Sequence, residues 1–264
     1  MKIITVASGK GGVGKTTLTA NLGVALASSG QRVVLFDADL GLANLDVVLR
    51  LKTDLTVQHV LQGVVPMSEA AVQGPAGIRV VTGSSGIGAM LRLSRKRLEA
   101  LLSQVRELED STDILIFDAA SGADARVMTF LKMADQAILV TTPDPTSVVD
   151  CYSTAKVLFR CKKDAMVRVV VNQVKDDDQA RRSFDAIESA ARTFLHKQVS
   201  YLGCVREDRA AAEMARTRGP FVLDAPDLPV SNDIRALAAD LVRGLSASEG
   251  EIEDTVSHND TKAA

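Results

Sequence analysis

Short runs rich in Val and Ile recur along the chain at residues 2–7, 32–36, 78–81, 113–117, 136–141, 167–171 and 199–205. Between them the apolar positions repeat at helical spacing, over residues 16–29, 125–133, 146–159, 179–195, 209–217 and 232–245. A further helix is expected after Ser94 as its cap, with Leu98, Leu101, Leu102, Val105 and Leu108 on one stripe. Strands that are apolar almost throughout, alternating with helices, predict an α/β protein. Its sheet is doubly wound and mostly parallel, with helices on both faces. No repeat or linker divides the chain, so one domain is expected over residues 1–245. From residue 246 the sequence turns to Ser-Ala-Ser-Glu-Gly-Glu-Ile-Glu-Asp and a polar remainder. That composition buries too little surface to order itself, so residues 246–264 are expected to form a disordered acidic and polar tail.

Composition narrows the function classes. With 264 residues and 46% apolar content the chain can bury a full core. A net charge of −2 gives no global field toward nucleic acid, and 3% aromatic content without Trp argues against a base-stacking surface. No apolar run is long enough to span a bilayer. Met1-Lys2-Ile3 leads straight into the first strand and does not read as a signal peptide. Cys151, Cys161 and Cys204 form no CxxC and leave an odd one, which reads as reduced thiols in a cytoplasmic protein.

The most specific chemistry lies between the first strand and the first helix. Gly9-Lys10-Gly11-Gly12-Val13-Gly14-Lys15-Thr16-Thr17 fits the phosphate-loop pattern in its strand–loop–helix context. Gly11, Gly12 and Gly14 permit a tight turn whose N–H groups approach an anion, and the helix starting near Lys15 adds its positive end. Lys15 is expected to reach the β and γ phosphates of ATP, and the Thr16 hydroxyl to ligate Mg²⁺. Lys10 occupies a place that the general pattern leaves open.

In such sheets the ligand lies beyond the carboxyl ends of the strands. Three ends carry candidate groups. Phe36-Asp37-Ala38-Asp39 places two carboxylates at i and i+2, pointing the same way, where a metal and an attacking water need oxygen ligands. Ile114-Leu115-Ile116-Phe117-Asp118 is a Walker B pattern, followed by Gly122, whose backbone is free to approach a γ-phosphate. Val169-Val170-Val171-Asn172 ends in an amide suited to an adenine edge.

These residues resemble the MinD/ParA group of P-loop ATPases, the deviant Walker A proteins. The resemblance is carried by the loop from Lys10 to Thr17, by Asp37-Ala-Asp39-Leu-Gly-Leu-Ala-Asn44-Leu-Asp46 and by Ile114 to Gly122, and it spans roughly residues 1–245. Within the group the chain is most similar to the flagellar-number regulators, the FlhG branch also called FleN or YlxH. Gly41 to Leu49, Gly83-Ser-Ser-Gly86 before Met90-Leu-Arg-Leu-Ser94, and Thr141 to Asp150 carry that similarity. The resemblance implies an ATP-sandwich homodimer in which Lys10 reaches the partner subunit's nucleotide. It implies that Asp39 positions the attacking water, that Asp37 and Asp118 support Mg²⁺, that Gly122 belongs to the second switch and that Asn172 contacts adenine. Asn44 and Asp46 would lie in the first switch, and Gly11, Gly12, Val13, Gly14, Lys15, Thr16 and Thr17 would line the phosphates. It further implies slow hydrolysis stimulated by a dimer or partner, such as the flagellar GTPase FlhF or flagellar assembly proteins.

The sequence departs from the pattern in four places. Flagellar regulators commonly carry an N-terminal extension that stimulates FlhF, whereas here a strand is expected from Lys2. MinD-like proteins usually end in a basic amphipathic helix; the acidic segment after residue 245 provides no membrane-targeting helix. Ala119 replaces a hydroxyl residue, and Arg206 stands where proline is common. The first alternative is a ParA-type ATPase that binds DNA non-specifically in partition, through Arg92, Arg95, Lys96 and Arg97 with Arg160, Lys162 and Lys163. An iron–sulfur carrier of the same superfamily would need a CxxC, and a tyrosine kinase a tyrosine-rich tail; Tyr152 and Tyr201 are the only tyrosines. His59, His196 and His258 are scattered, and no metal or acid–base role is read into them.

Overall fold

The computed structural model describes residues 1–40, 43–83, 94–217 and 219–260, and their side chains except at 95, 215–217 and 245–260. Gly41, residues 84–86, residues 90–93 with Arg92, and the side chain of Arg95 therefore lie outside the described residues.

Eight strands form one sheet: β1 (Lys2–Ser8), β2 (Val33–Ala38), β3 (Ala71–Gln73), β4 (Arg79–Val81), β5 (Ile114–Ser121), β6 (Gln136–Thr141), β7 (Val167–Val174) and β8 (Ser200–Arg206). Their order is β3-β4-β2-β5-β1-β6-β7-β8. Every pairing is parallel except β3 with β4, which is antiparallel. The seven expected strands are all present. The eighth, β3, spans three residues, Ala-Val-Gln, too short to show a period.

Side chains alternate across the sheet, as the pleat requires. Ile114 and Ile116 face one core, with Ile4, Val6, Leu35, Ile138 and Val170. That face is covered by α1 (Lys15–Ser28), α10 (Phe221–Asp224) and α11 (Pro229–Asp260). The helix α1 lies so close to β2 that a Cβ on Gly23 would come within 2.6 Å of Leu35. Buried Asn21 ties α1 to α10: its Nδ2 donates to the Thr17 carbonyl at 2.8 Å, and its Oδ1 accepts from Val222 N–H at 3.0 Å.

Leu115 and Phe117 face the other way, into a core that holds the Phe36–Phe117–Phe130 cluster with centroids 5.0 to 6.3 Å apart. Over this face lie α3 (Val57–Leu61), α4 (Met67–Ala70), α5 (Arg95–Gln104), α6 (Ala125–Met133), α7 (Pro145–Cys161) and α8 (Asp177–Leu195), whereas α2 (Leu45–Leu49) and, past β8, α9 (Arg209–Thr217) put Leu45, Leu49 and Ala211 into the first core. Ser94 caps α5 as expected, accepting from Arg97 N–H. All five stripe residues from Leu98 to Leu108 are buried, though the helix tightens into a 3₁₀ turn over Val105–Ser111. His59 serves the fold, since its Nδ1 accepts from Thr56 N–H at 3.2 Å in a capping box.

The last helix runs to Asp260, so helical backbone continues into the stretch expected to be a disordered tail. Its described packing ends at Leu241 and Val242. On that ground a boundary of the packed domain near residue 245 is kept as a proposal.

Candidate functional site

The loop between β1 and α1 has the local geometry of an anion site. Gly12 and Gly14 adopt φ of 81° and 86°, a region that side-chain-bearing residues rarely enter. Gly14 is the N-cap of α1; no side chain caps the helix and no acid lies in its first turn. Its first-turn N–H groups and positive dipole end therefore face the loop, where an anion would meet them. At the start of the loop Gly9 is packed against α7 so tightly that a Cβ would sit 2.3 Å from the Asp150 carbonyl oxygen.

The sheet register brings the carboxylates together. Asp118 pairs with Val6 on one side and with Asp37 on the other. Lys15 is nearly buried and donates from Nζ to Asp118 Oδ1 at 3.0 Å, and Thr19 Oγ1 donates to the same oxygen at 3.2 Å. Asp37 is bound to backbone instead: Oδ1 accepts from Asp39 N–H at 3.1 Å, and Oδ2 from Asn44 and Leu45 N–H at 2.9 and 3.0 Å. One side chain thus holds the entry and the exit of the segment that leads into α2. Asp46 lies in the first turn of α2, where the positive helix end favours a carboxylate.

Burial, followed by the charge of neighbouring Asp118, pushes the Asp37 carboxyl up to about 7, against the three N–H donors that favour its anion. Its contribution to stability is full below the ordinary value of 3.8 and is lost as pH rises through about 7. Thermal scans in chelator without nucleotide should therefore show the wild type losing stability relative to Asp37→Asn between about pH 5 and about pH 8. Parallel pH profiles for the two proteins would show that this carboxyl is ordinary.

The two lysines of the loop diverge. Lys15 points inward, whereas Lys10 lies at the rim, donating from Nζ to Thr146 Oγ1 at 2.7 Å with Asp144 Oδ1 at 3.5 Å. Asp144 is the N-cap of α7 and accepts from Thr146 N–H, Ser147 N–H and the Thr146 hydroxyl. These bonds, led by that hydroxyl, hold its carboxyl down at about 2. Asp39 borders a cavity of about 20 Å³ with Ala120 and Arg126, large enough for one water. Asn172 Nδ2 donates to the Val13 carbonyl at 2.7 Å, and the Gly122 N–H donates to the Ser8 carbonyl at 2.8 Å. Both donors are engaged within the site rather than directed outward.

A family model, ParA, described as NUBPL iron-transfer P-loop NTPase, matches residues 1–242. The chain belongs to the ParA/MinD family of P-loop NTPases. As a member it is an ATP-binding P-loop ATPase. It is 35% identical over 238 residues to the antiactivator FleN of Pseudomonas aeruginosa, covering 90% of this chain and 85% of that protein. It is 31% identical over 253 residues to the flagellum site-determining protein YlxH of Helicobacter pylori, covering 95% and 83%. Its fold matches the septum site-determining protein MinD of Pyrococcus horikoshii, complexed with Mg-ADP, with TM-score 0.77, 26% identity, and 91% and 95% coverage.

For this ParA/MinD-family chain the donor set fits Mg²⁺, since the Thr16 hydroxyl and the Asp118 carboxylate are hard oxygen ligands. Asp118 is held there by one lysine and one hydroxyl, so its carboxylate is freer to turn to a metal than that of Asp37. Among the described residues no group of His, Cys, Asp and Glu is arranged as a metal cluster, and no helix is long and apolar enough to cross a membrane.

Sequence reasoning missed three participants. Thr19 lies one turn after Lys15 and shows no motif of its own. Asp144 and Thr146 carry part of the family resemblance, yet their sequence, an Asp-Pro start to a helix, signals only capping. Arg206 is now accounted for, since its backbone and guanidinium both bond Asp233 of α11.

Proposed function

We propose that this chain is an ATP-dependent dimerisation switch that regulates the position or number of a cellular structure, most specifically flagella. The observation that carries the reading is the divergence of its two loop lysines. Lys15 is buried on Asp118 within its own site, while the Lys10 side chain is 41% exposed at the rim, on Thr146 and Asp144. A cation displayed there is available to the nucleotide of a second subunit, where it would offset charge that develops during phosphoryl transfer. FleN and YlxH as relatives support the flagellar branch.

In this reading Lys15 and the loop N–H groups from Gly11 to Thr17 bind the phosphates, Thr16 and Asp118 hold Mg²⁺, and Asp39 positions a water beside its cavity. Asp37 anchors the switch segment, with Gly122 in the second switch and Asn172 at the base. Bound Mg²⁺ supplies positive charge against the phosphates. Hydrolysis is slow until a second subunit or a partner completes the site. The GTPase FlhF and flagellar assembly proteins are the proposed partners, and the protein is cytoplasmic with recruitment to membrane or pole through them.

The test is light scattering of Asp39→Ala with Mg·ATP, against ADP and against the Lys10→Ala variant of the same protein. A dimer that forms with ATP alone and requires Lys10 is expected. A monomer under every condition would overturn the switch.

A further inference from the structure

Gln173 is one of four described residues other than glycine with a left-handed backbone, at φ 58°, and the only one of the four beside the nucleotide loop. The register explains how it comes to be there. Asn172 pairs with Val205 and Val174 with Arg206, so Gln173 is the extra residue of a β-bulge at the end of β7. Glycine adopts this conformation without strain, yet the chain places a long carboxamide there. Strain of this kind at a site, held in place by its surroundings, points to a role for the side chain.

Its position says what that role is. The metal, switch-anchoring and water groups, Asp118, Asp37 and Asp39, lie toward the carboxyl ends of β5 and β2 on one side of β1. A nucleotide with its terminal phosphate toward them extends its base the other way, over the ends of β7 and β8. There Gly14, the N-cap of α1, faces two carboxamides: a Cβ on it would meet Asn172 Nδ2 at 2.5 Å and Gln173 Nε2 at 3.9 Å. Adenine presents an amino donor beside a ring-nitrogen acceptor, so reading it takes both an acceptor and a donor. Asn172 has committed a donor to the Val13 carbonyl, which leaves its oxygen as the group to receive the amino hydrogen. Gln173 is exposed, and its carboxamide makes no hydrogen bond among the described residues.

We infer that Gln173 is a base-specificity residue: its amide donates to a ring nitrogen of adenine while Asn172 oxygen accepts from the amino group. With the amide on N1, guanine opposes both groups, since it offers an oxygen in place of the amino group and an N–H in place of the bare ring nitrogen, so the pair discriminates. The inference rests on the ATP-binding assignment and not on dimerisation.

The test is calorimetric titration of the full chain with Mg·ADP and Mg·GDP, neither of which drives a switch that depends on the γ-phosphate. Gln173→Ala and Gln173→Gly are expected to weaken ADP about tenfold and GDP much less, collapsing the ratio between them. The glycine variant relieves the backbone, so it keeps the test valid should the alanine variant be unstable. An unchanged ADP/GDP ratio in Gln173→Gly would overturn the inference. So would a loss seen in Gln173→Ala alone, which would trace the effect to backbone strain.

Discussion

Replacing Lys10 by alanine is expected to slow ATP hydrolysis by about a hundredfold or more while leaving ADP affinity within about twofold. The asymmetry follows from geometry. The Lys10 ammonium is 2.7 Å from the Thr146 hydroxyl and its side chain is 41% exposed at the rim, so losing it removes a solvent-screened contact and leaves the loop's own phosphate donors intact. A cation that acts on a partner's nucleotide contributes when negative charge spreads over the transferring group, and its loss falls on the rate. Turnover measured against protein concentration, beside ADP titration, separates the two effects. A fall in ADP affinity as large as the fall in rate would place Lys10 in its own subunit's site and remove the argument for a second subunit.

Lys15→Ala should have the largest effect on the protein without nucleotide. The Lys15 and Asp118 side chains are 8% and 2% exposed, and Asp37 lies in register beside Asp118. Removing the ammonium leaves a buried carboxylate next to a second one, with only the Thr19 hydroxyl still donating to it. Breaking such a pair from one side costs about 3–5 kcal/mol. Urea denaturation should show a loss of this size, along with loss of nucleotide binding. The double variant Lys15→Ala/Asp118→Asn should recover a good part of the stability, because the uncompensated charge is gone. A single-variant loss below about 1 kcal/mol would mean that water screens the pair, as at a surface.

The residues most legible in the sequence are those whose chemistry depends on local spacing. The loop from Gly9 to Thr17 and the apolar runs that end in Asp37, Asp118 and Asn172 announce themselves over a few positions, and the sheet brings their ends together as expected. Less legible is what each group bonds to without nucleotide. That Asp37 holds Asp39, Asn44 and Leu45, that Asn172 clamps Val13, and that Lys10 rests on Thr146 are contacts across 2 to 159 positions, set by strand register and helix docking. The bulge at Gln173 is likewise a product of pairing with β8, and Val-Asn-Gln-Val gives no hint of it. The strand Ala71–Gln73 escaped for a different reason: three residues are held by pairing with a neighbour rather than by a pattern of their own.

The contact between Gly9 and Asp150 gives α7 a mechanical character. The loop touches the helix backbone to backbone, without an intervening side chain to absorb a shift by changing rotamer. With 17 residues, α7 is a rod of about 25 Å that starts at the nucleotide rim and reaches the opposite end of the sheet, where Lys162 just past its end bonds the Ala134 carbonyl. A displacement of the loop toward α7 would therefore meet helix backbone at once, and any shift that left α7 in place would have to be absorbed within the loop itself.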